Sequence, residues 1–196
     1  MEHREQKKKA SKKQARPKVI KTASVHVLPL TKRPFFPGMA ASLTIEPGPF
    51  YEALKSITKS DDRYVALCLT RKENVGIYSV GYEDLHPVGV LAKVLRVAPI
   101  QEQGAQVFLS VECRITLKKP KSQSKPLKVQ FTPFFDQPEG EDEDLIKAYS
   151  TSILTTTKEL LKLNPLFKEE LQVFLGHSDF TDPGRLADYS VALTTA

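Results

Sequence analysis

Two long apolar runs separated by a glycine-containing turn constrain the fold of this chain more than any other feature. Residues 88–97 and 106–117 are rich in Val, Ile and Leu, and the segment QEQGA joins them. Such residues favour β-strands. Gly104 can adopt the positive φ that a hairpin turn requires. The pattern therefore predicts a long β-hairpin.

Shorter apolar runs on both sides of this hairpin indicate four more strands and one helix. The expected strands end at Pro, Gly or polar turns, which interrupt a β-ladder. They comprise residues 26–30, 42–45, 64–69 and 127–134. Phe50, Leu54 and Ile57 follow helical spacing and predict a helix of about ten residues after the second strand. Six short strands with one inserted helix favour a small, mostly antiparallel β-barrel in an α+β fold over a βαβ sheet.

The pattern becomes helical after the acidic segment PEGEDEDL at residues 138–145. An apolar stripe with helical spacing begins at Leu145. Asn164-Pro165 and Asp182-Pro183 each resemble an N-cap followed by proline in the first helical position. We therefore expect a C-terminal helical bundle. Its three helices are placed near residues 143–162, 165–175 and 183–194.

The positive charge of the chain is concentrated at its start. The net charge is +6, but residues 1–21 carry nine Lys or Arg and only two Glu, whereas the rest carries 20 basic and 21 acidic residues. A segment with so few apolar side chains is typical of a solvated, mobile tail. Weak binding of a polyanion is the alternative. The expected organisation is a basic tail (1–24), a barrel subdomain (25–137) and a helical subdomain (138–196).

The two cysteines and the most apolar stretch indicate in which cellular compartment the protein is expected. Cys68 and Cys113 each lie within an apolar run, so we interpret both as core residues and not as a disulfide or reactive thiols. Sparse cysteine usage agrees with a reducing cytoplasm, which is the expected location. The most apolar stretch, residues 85–100, is interrupted by Lys93 and Arg96 and is too short to cross a bilayer as a helix.

Sequence motifs of catalysis or cofactor binding are missing. Residues 76–81 have the outer glycine spacing of a phosphate-binding loop, but Tyr82 and Glu83 stand where that loop needs Lys and Ser or Thr. Neither an HExxH nor a CxxC pair accompanies the four scattered histidines. These are His3, His26, His86 and His177. We therefore expect no catalytic residue, metal or cofactor in this chain.

Three segments carry a further signal when they are read together. They are LPLTKRPFFPGMAASLTI at residues 28–45, VGVLAKVLRVAPIQEQGAQVFLSVECRITL at 88–117 and ELLKLNPLFKEELQVFLGHSDFTDPGRLADY at 159–189. The LPL and FPG motifs lie in the first, the run GVLAKV in the second, and LNP and DPGRLAD in the third. In this order they resemble the amino-terminal, substrate-binding domain of the Lon family of ATP-dependent proteases. The resemblance covers about residues 25–196.

This resemblance implies a barrel of the PUA-like kind, found in pseudouridine synthase and archaeosine transglycosylase domains, followed by helices. In the family these parts precede an ATPase module, which uses ATP and Mg²⁺, and a protease with a Ser-Lys dyad. The resemblance also implies a homohexameric ring and no membrane association. We expect this chain to be the first part of such a protease and not a free-standing domain.

Substrate recognition is the function that the resemblance implies. Apolar surface patches would bind unfolded or damaged proteins weakly, and a ring of such domains would add avidity. Phe35 and Met39, beside the Pro-rich turn, are the predicted contacts, with core packing as the alternative for each. Two other functions remain open. One is a free-standing PUA-like module that binds nucleic acid through residues 1–21, and the other is a structural part of the ring.

Overall fold

Six strands and three helices make up the part of the chain that the computed structural model describes. That part comprises residues 24–60, 62–73, 75–100, 104–122, 125–134, 143–163 and 183–192, with the backbone alone at residues 143 and 160–163. The elements in chain order are β1 (Ser24–Leu30), β2 (Ala40–Ile45), α1 (Pro49–Thr58), β3 (Tyr64–Leu69), β4 (Val88–Ile100), β5 (Gly104–Ser122), β6 (Lys128–Phe134), α2 (Glu143–Leu163) and α3 (Pro183–Ala192).

The six strands form one sheet in the order β2-β5-β4-β3-β1-β6, and β6 also pairs with β5. The hydrogen-bonded ladder therefore returns to β5 and closes a ring of five strands. β1 and β3 are parallel, and every other pair is antiparallel. β2 pairs only with β5 and stays outside the ring.

The prediction of a mostly antiparallel sheet with one inserted helix is confirmed. The predicted small barrel is not confirmed as such, because the sheet is not a clean barrel. β5 is 19 residues long, more than twice the length of the six-residue strand β2. Its first half therefore extends past the ring and pairs with β2, while its second half pairs with β6. The result is a ring with a three-stranded extension built from β2 and the adjacent parts of β4 and β5.

Two hydrophobic cores lie on opposite faces of this sheet. Val65 and Leu67 of β3 belong to the core that also contains Phe50 and Leu54 of α1. Ala66 and Cys68 of the same strand belong to the other core, which contains residues of β1, β4, β5 and β6. Since successive side chains of a strand point to opposite faces, a strand buried on both faces reads as the continuous apolar run YVALCL.

A β-bulge lets β5 contribute to both cores. Val111 pairs with Ala92 and Cys113 pairs with Leu91, so Glu112 is an extra residue in the ladder. Val111 lies in the core that contains α1, whereas Cys113 lies in the second core. The inserted residue thus shifts the buried residues of β5 from one face of the sheet to the other.

The two described C-terminal helices contact each other, and α3 packs through the buried residues Leu186 and Asp188. A helical bundle is not shown by the described residues, in which α2 exposes Leu145, Ile146 and Tyr149 to solvent. The helix predicted at residues 165–175 and the domain boundary predicted at residues 137–138 lie outside the described residues. In the described part, no helix has both the length and the apolar character that a bilayer span requires.

Candidate functional site

An apolar groove lies on the sheet. Its volume is about 110 Å³. The turn after β1, the ends of β1 and β3, the start of β4 and one residue of β5 supply its lining. These residues are Leu30, Pro34, Phe35, Phe36, Leu67, Leu69, Val88, Gly89, Val90 and Arg114. Nine of the ten have apolar side chains or none, so the groove suits an apolar ligand group.

The Pro-rich turn forms one wall of the groove because its exit is held by the neighbouring strand. Gly38 has a φ of +84°, which favours glycine, and its N–H donates to the carbonyl of Val111 at 2.8 Å. The N–H of Val111 donates in turn to the carbonyl of Met39 at 2.9 Å. These two bonds fix the turn against β5 and hold Phe35 and Phe36 at the groove.

Close packing of β4 against β3 shapes the floor of the groove. A Cβ atom at Gly89 would lie 2.5 Å from Sγ of Cys68 and 2.7 Å from the carbonyl oxygen of Leu67. Both distances are below any normal contact, so only glycine lets the strands approach this closely. Leu67 is fully buried in this floor, whereas Val88 at the rim is 52% exposed.

The charged group of the groove is Arg114, which links the sheet to α3. Its guanidinium donates a hydrogen bond to the carboxylate of Asp188 and forms a salt bridge with it. The Asp188 side chain is 8% exposed and that of Arg114 is 27% exposed. A buried carboxylate is stable only when paired, so this contact fixes the position of α3 relative to the groove.

Two of the three segments that carried the resemblance line this groove, and the third contacts one of its lining residues. Residues 28–45 supply the turn, residues 88–117 supply the rim, the floor glycine and Arg114, and residues 159–189 supply Asp188 through its ion pair. The lining residues therefore come from positions as distant in sequence as Leu30 and Arg114.

The two predicted contact residues have different positions. Phe35 lines the groove, where it is partly buried against the core that contains α1. Met39 is also partly buried but is not among the lining residues. Their role in binding stays a prediction. Val88, Gly89 and Arg114 were not predicted as site residues, although the charge of Arg114 within the apolar run CRITL was a usable signal.

Burial is the largest cause of the pKa shifts of Cys68, Cys113 and His26. Burial raises the pKa of the Cys68 thiol to about 12, and burial together with Glu112 raises the pKa of Cys113 to about 11. Both cysteines are free and buried, as predicted. Burial also lowers the pKa of His26, whose Nδ1 has no hydrogen-bond partner among the described residues. His3 and His177 lie outside those residues, within which no cluster of three or more potential metal ligands occurs.

Comparison with known families and proteins shows similarity to Lon proteases. Residues 24–196 match the family described as the ATP-dependent protease La (LON) substrate-binding domain. The chain is 62% identical over 172 residues to the Lon protease of Protochlamydia amoebophila, which covers 88% of this chain and 20% of that protein. It is 55% identical over 174 residues to the Lon protease of Chlamydia pneumoniae, which covers 89% of this chain and 21% of that protein.

A solved structure agrees with the fold. The N-terminal domain of the Mycobacterium avium complex Lon protease matches with a TM-score of 0.65 and 21% sequence identity, covering 88% of this chain and 84% of that one. The chain spans about a fifth of the length of the curated relatives that it matches.

Proposed function

This chain belongs to the family of Lon protease substrate-binding domains, and from that membership we propose that it binds unfolded or damaged protein segments for degradation. The groove lined by the turn after β1 is the proposed site of contact. An unfolded client exposes apolar side chains that a folded protein buries, so an apolar groove distinguishes the two states.

The observation that carries this proposal is an apolar groove that two of the three family segments line and that the third contacts through the ion pair of Asp188 with Arg114. Its volume of about 110 Å³ is somewhat below the roughly 150 Å³ of a cavity that binds benzene. It therefore fits about one aliphatic side chain of a client. Phe35 provides the wall against which this side chain packs, and Met39 is the second proposed contact beyond the groove.

Binding at one such groove is expected to be weak. Burial of one Leu or Val side chain contributes about 1.5–3 kcal/mol, whereas association costs at least about 4 kcal/mol. We propose that a homohexameric ring of these domains supplies the missing affinity through several simultaneous contacts. Weak individual contacts also allow the client to be released toward the next step of degradation.

We propose no catalytic residue and no cofactor for this chain by itself. Peptide-bond hydrolysis, and the ATP and Mg²⁺ that accompany it, are assigned to other regions of the full-length protease. The nucleic-acid alternative depends on residues 1–21, which lie outside the matched range 24–196. No observation favours it over client binding.

A binding experiment tests the proposal. Fluorescence anisotropy of a labelled, reduced and carboxymethylated protein that cannot refold would report client capture by the 196-residue chain. The double variant Phe35→Ser/Met39→Ser should weaken capture about fivefold or more, because two apolar contacts are lost. The matched control is Tyr149→Ser, which removes an aromatic side chain that is 63% exposed on α2.

The three informative outcomes of this experiment are distinct. Circular dichroism must first establish that the double variant folds. Equal capture by the parent chain and the folded double variant would contradict the groove as the site. No capture by the parent chain would contradict client binding itself, and capture of a polynucleotide that weakens steeply with salt would favour the alternative.

A further inference from the structure

The strand that lies outside the ring has an unpaired edge. β2 pairs with β5 along one side, from Ala40 opposite Ser110 to Ile45 opposite Ala105. On its other side, β2 has no strand partner in the part of the chain that the structure describes. An unpaired edge presents a row of backbone N–H and C=O groups that can pair with another extended chain.

The hydrogen bonds of Val111 identify which residues of β2 face this edge. Both backbone groups of Val111 bond to residues 38–39, so they point toward the β2 side of β5. In an antiparallel ladder the direction of the backbone N–H and C=O groups alternates from residue to residue. The backbone groups of Leu109 and Val107 therefore also point toward β2. Their partners Ala41 and Leu43 point back toward β5. The outward groups are consequently those of Ala40, Ser42 and Thr44.

The side chains of these three residues leave the edge open. Ala40, Ser42 and Thr44 are exposed and small. The hydroxyl of Ser42 accepts a hydrogen bond from the side-chain amide of Gln106 on the neighbouring strand at 2.9 Å. It is thereby directed toward β5 and leaves the backbone N–H of Ser42 accessible to an incoming chain.

Another free edge of the sheet, at the end of β4, provides a comparison within the same molecule. β4 pairs with β3 only as far as Lys93, so its residues 96–100 pair with β5 alone. That segment carries Arg96 and Pro99, a charge and a proline, which are the usual protection of an edge against pairing. The β2 sequence AASLTI contains neither a charged residue nor a proline. Of these two edges, only the one at β2 lacks protection.

We propose that the outer edge of β2 receives an extended segment of an unfolded polypeptide as an additional strand. This inference rests on the proposed function and extends it from side chains to the backbone. The occupant follows from the chemistry of the edge, because its alternating donors and acceptors are complementary to an extended backbone of any sequence. The loop that lines the groove leads directly into β2, so the groove residues Pro34, Phe35 and Phe36 and the edge are close in sequence. Such an edge would accept clients without a common sequence.

Amide hydrogen exchange tests the inference in the unmodified chain. The probe is a soluble, fluorescein-labelled peptide of alternating valine and threonine. Measured by nuclear magnetic resonance, the N–H groups of Ser42 and Thr44 should exchange rapidly in the free chain. With peptide bound, their exchange should be slower by about tenfold or more. Those of Ala41 and Leu43 should be protected in both states, because they already pair with β5.

A matched pair of variants provides the second test. Ser42→Pro removes the outward N–H, and proline is tolerated where the N–H of an edge strand faces solvent. Ser42→Pro should weaken peptide binding about fivefold, because one hydrogen bond is lost and the pyrrolidine ring of the proline obstructs the edge. Ser42→Ala removes only the hydroxyl and should bind the peptide as the parent chain does.

Each outcome has a defined meaning. Peptide binding that leaves the exchange of Ser42 and Thr44 unchanged would overturn the added strand while leaving the groove in place. Protection that depends on chain concentration, with a dimer in analytical ultracentrifugation, would overturn it in favour of a second copy at the edge. Absence of peptide binding by a chain that still captures the carboxymethylated protein would overturn the added strand and leave client binding in place.

Discussion

The guanidinium of Arg114 in β5 donates a hydrogen bond to the buried carboxylate of Asp188 in α3, across 74 residues of sequence. Arg114 also lines the apolar groove. This ion pair therefore connects the groove to α3. It also gives a structural role to the last residue of the DPGRLAD motif.

Removal of the negative charge in this pair should destabilise the chain. Asp188→Asn removes the buried negative charge that faces the partly buried guanidinium, which should lower the free energy of unfolding by about 2 kcal/mol. Urea denaturation measures the loss. Amide exchange should accelerate first in α3, because that helix loses its anchor to the sheet.

An exposed ion pair on α1 serves as the control for Asp188→Asn. Nζ of Lys55 lies 3.2 Å from Oε1 of Glu52, and both side chains are largely exposed. Glu52→Gln should leave the urea midpoint unchanged, because solvent screens such pairs. Similar midpoints for the Asp188 and Glu52 variants would contradict a structural role for the buried pair.

Introduction of a methyl group at Gly89 should disrupt the groove floor. The added Cβ of Gly89→Ala would clash with Sγ of Cys68 and the carbonyl of Leu67. We expect a loss of about 2–3 kcal/mol in the free energy of unfolding, since the backbone must move. Gly76→Ala is the control, because its Cβ would have its nearest contact at 3.6 Å. Equal thermal midpoints for both variants would refute the close approach of β3 and β4.

Both thiols should be inert in the folded chain. With a pKa of about 12, the Cys68 thiol is ionised in only about one molecule in ten thousand near pH 8. An aromatic disulfide reagent should therefore modify neither cysteine before unfolding and both in denaturant. The unfolded thiols ionise near pH 9, whereas the folded ones do not, so stability should decrease above about pH 9. Rapid modification of the native chain would disprove the buried environment.

Acid should destabilise the chain through His26. Burial lowers the pKa of His26 from 6.5, a backbone hydrogen bond at Pro126 opposes this shift, and Lys128 adds to it. As the pH falls below about 6.5, the unfolded imidazole binds a proton that the folded one does not, so the free energy of unfolding decreases. This loss ends below the folded pKa.

A comparison of denaturant midpoints near pH 8 and about pH 5.5 measures this effect. The parent chain should lose more stability between the two values than His26→Gln, which does not titrate there. A folded-state pKa for His26 at or above 6.5, measured by nuclear magnetic resonance, would contradict the prediction.

The local sequence pattern was sufficient to predict nearly every described strand and helix. The strand predicted at 64–69 is observed as Tyr64–Leu69, and the helix predicted from the spacing of Phe50, Leu54 and Ile57 is observed as Pro49–Thr58. Gly104 has a φ of +99°, as the hairpin turn required. These features depend on neighbouring residues, whose spacing and backbone preferences the sequence states directly.

The candidate site could be predicted only in part. The Pro-rich turn drew attention to Phe35, which does line the groove, and to Met39, which is not in the lining. Gly89 was recognised as part of a family motif, but its contact with Cys68 depends on how β3 and β4 approach each other. No spacing within one segment contains that information.

The sequence by itself determined the elements, the buried state of both cysteines and the family to which the chain belongs. Only the tertiary structure decided the parallel pairing of β1 with β3, the shift of β5 between two cores at Glu112 and the position of β2 outside the ring. It also placed Asp188 beside Arg114. The physical reason is that element formation follows from local periodicity, whereas strand order and ion pairing depend on the packing of residues that are distant in sequence.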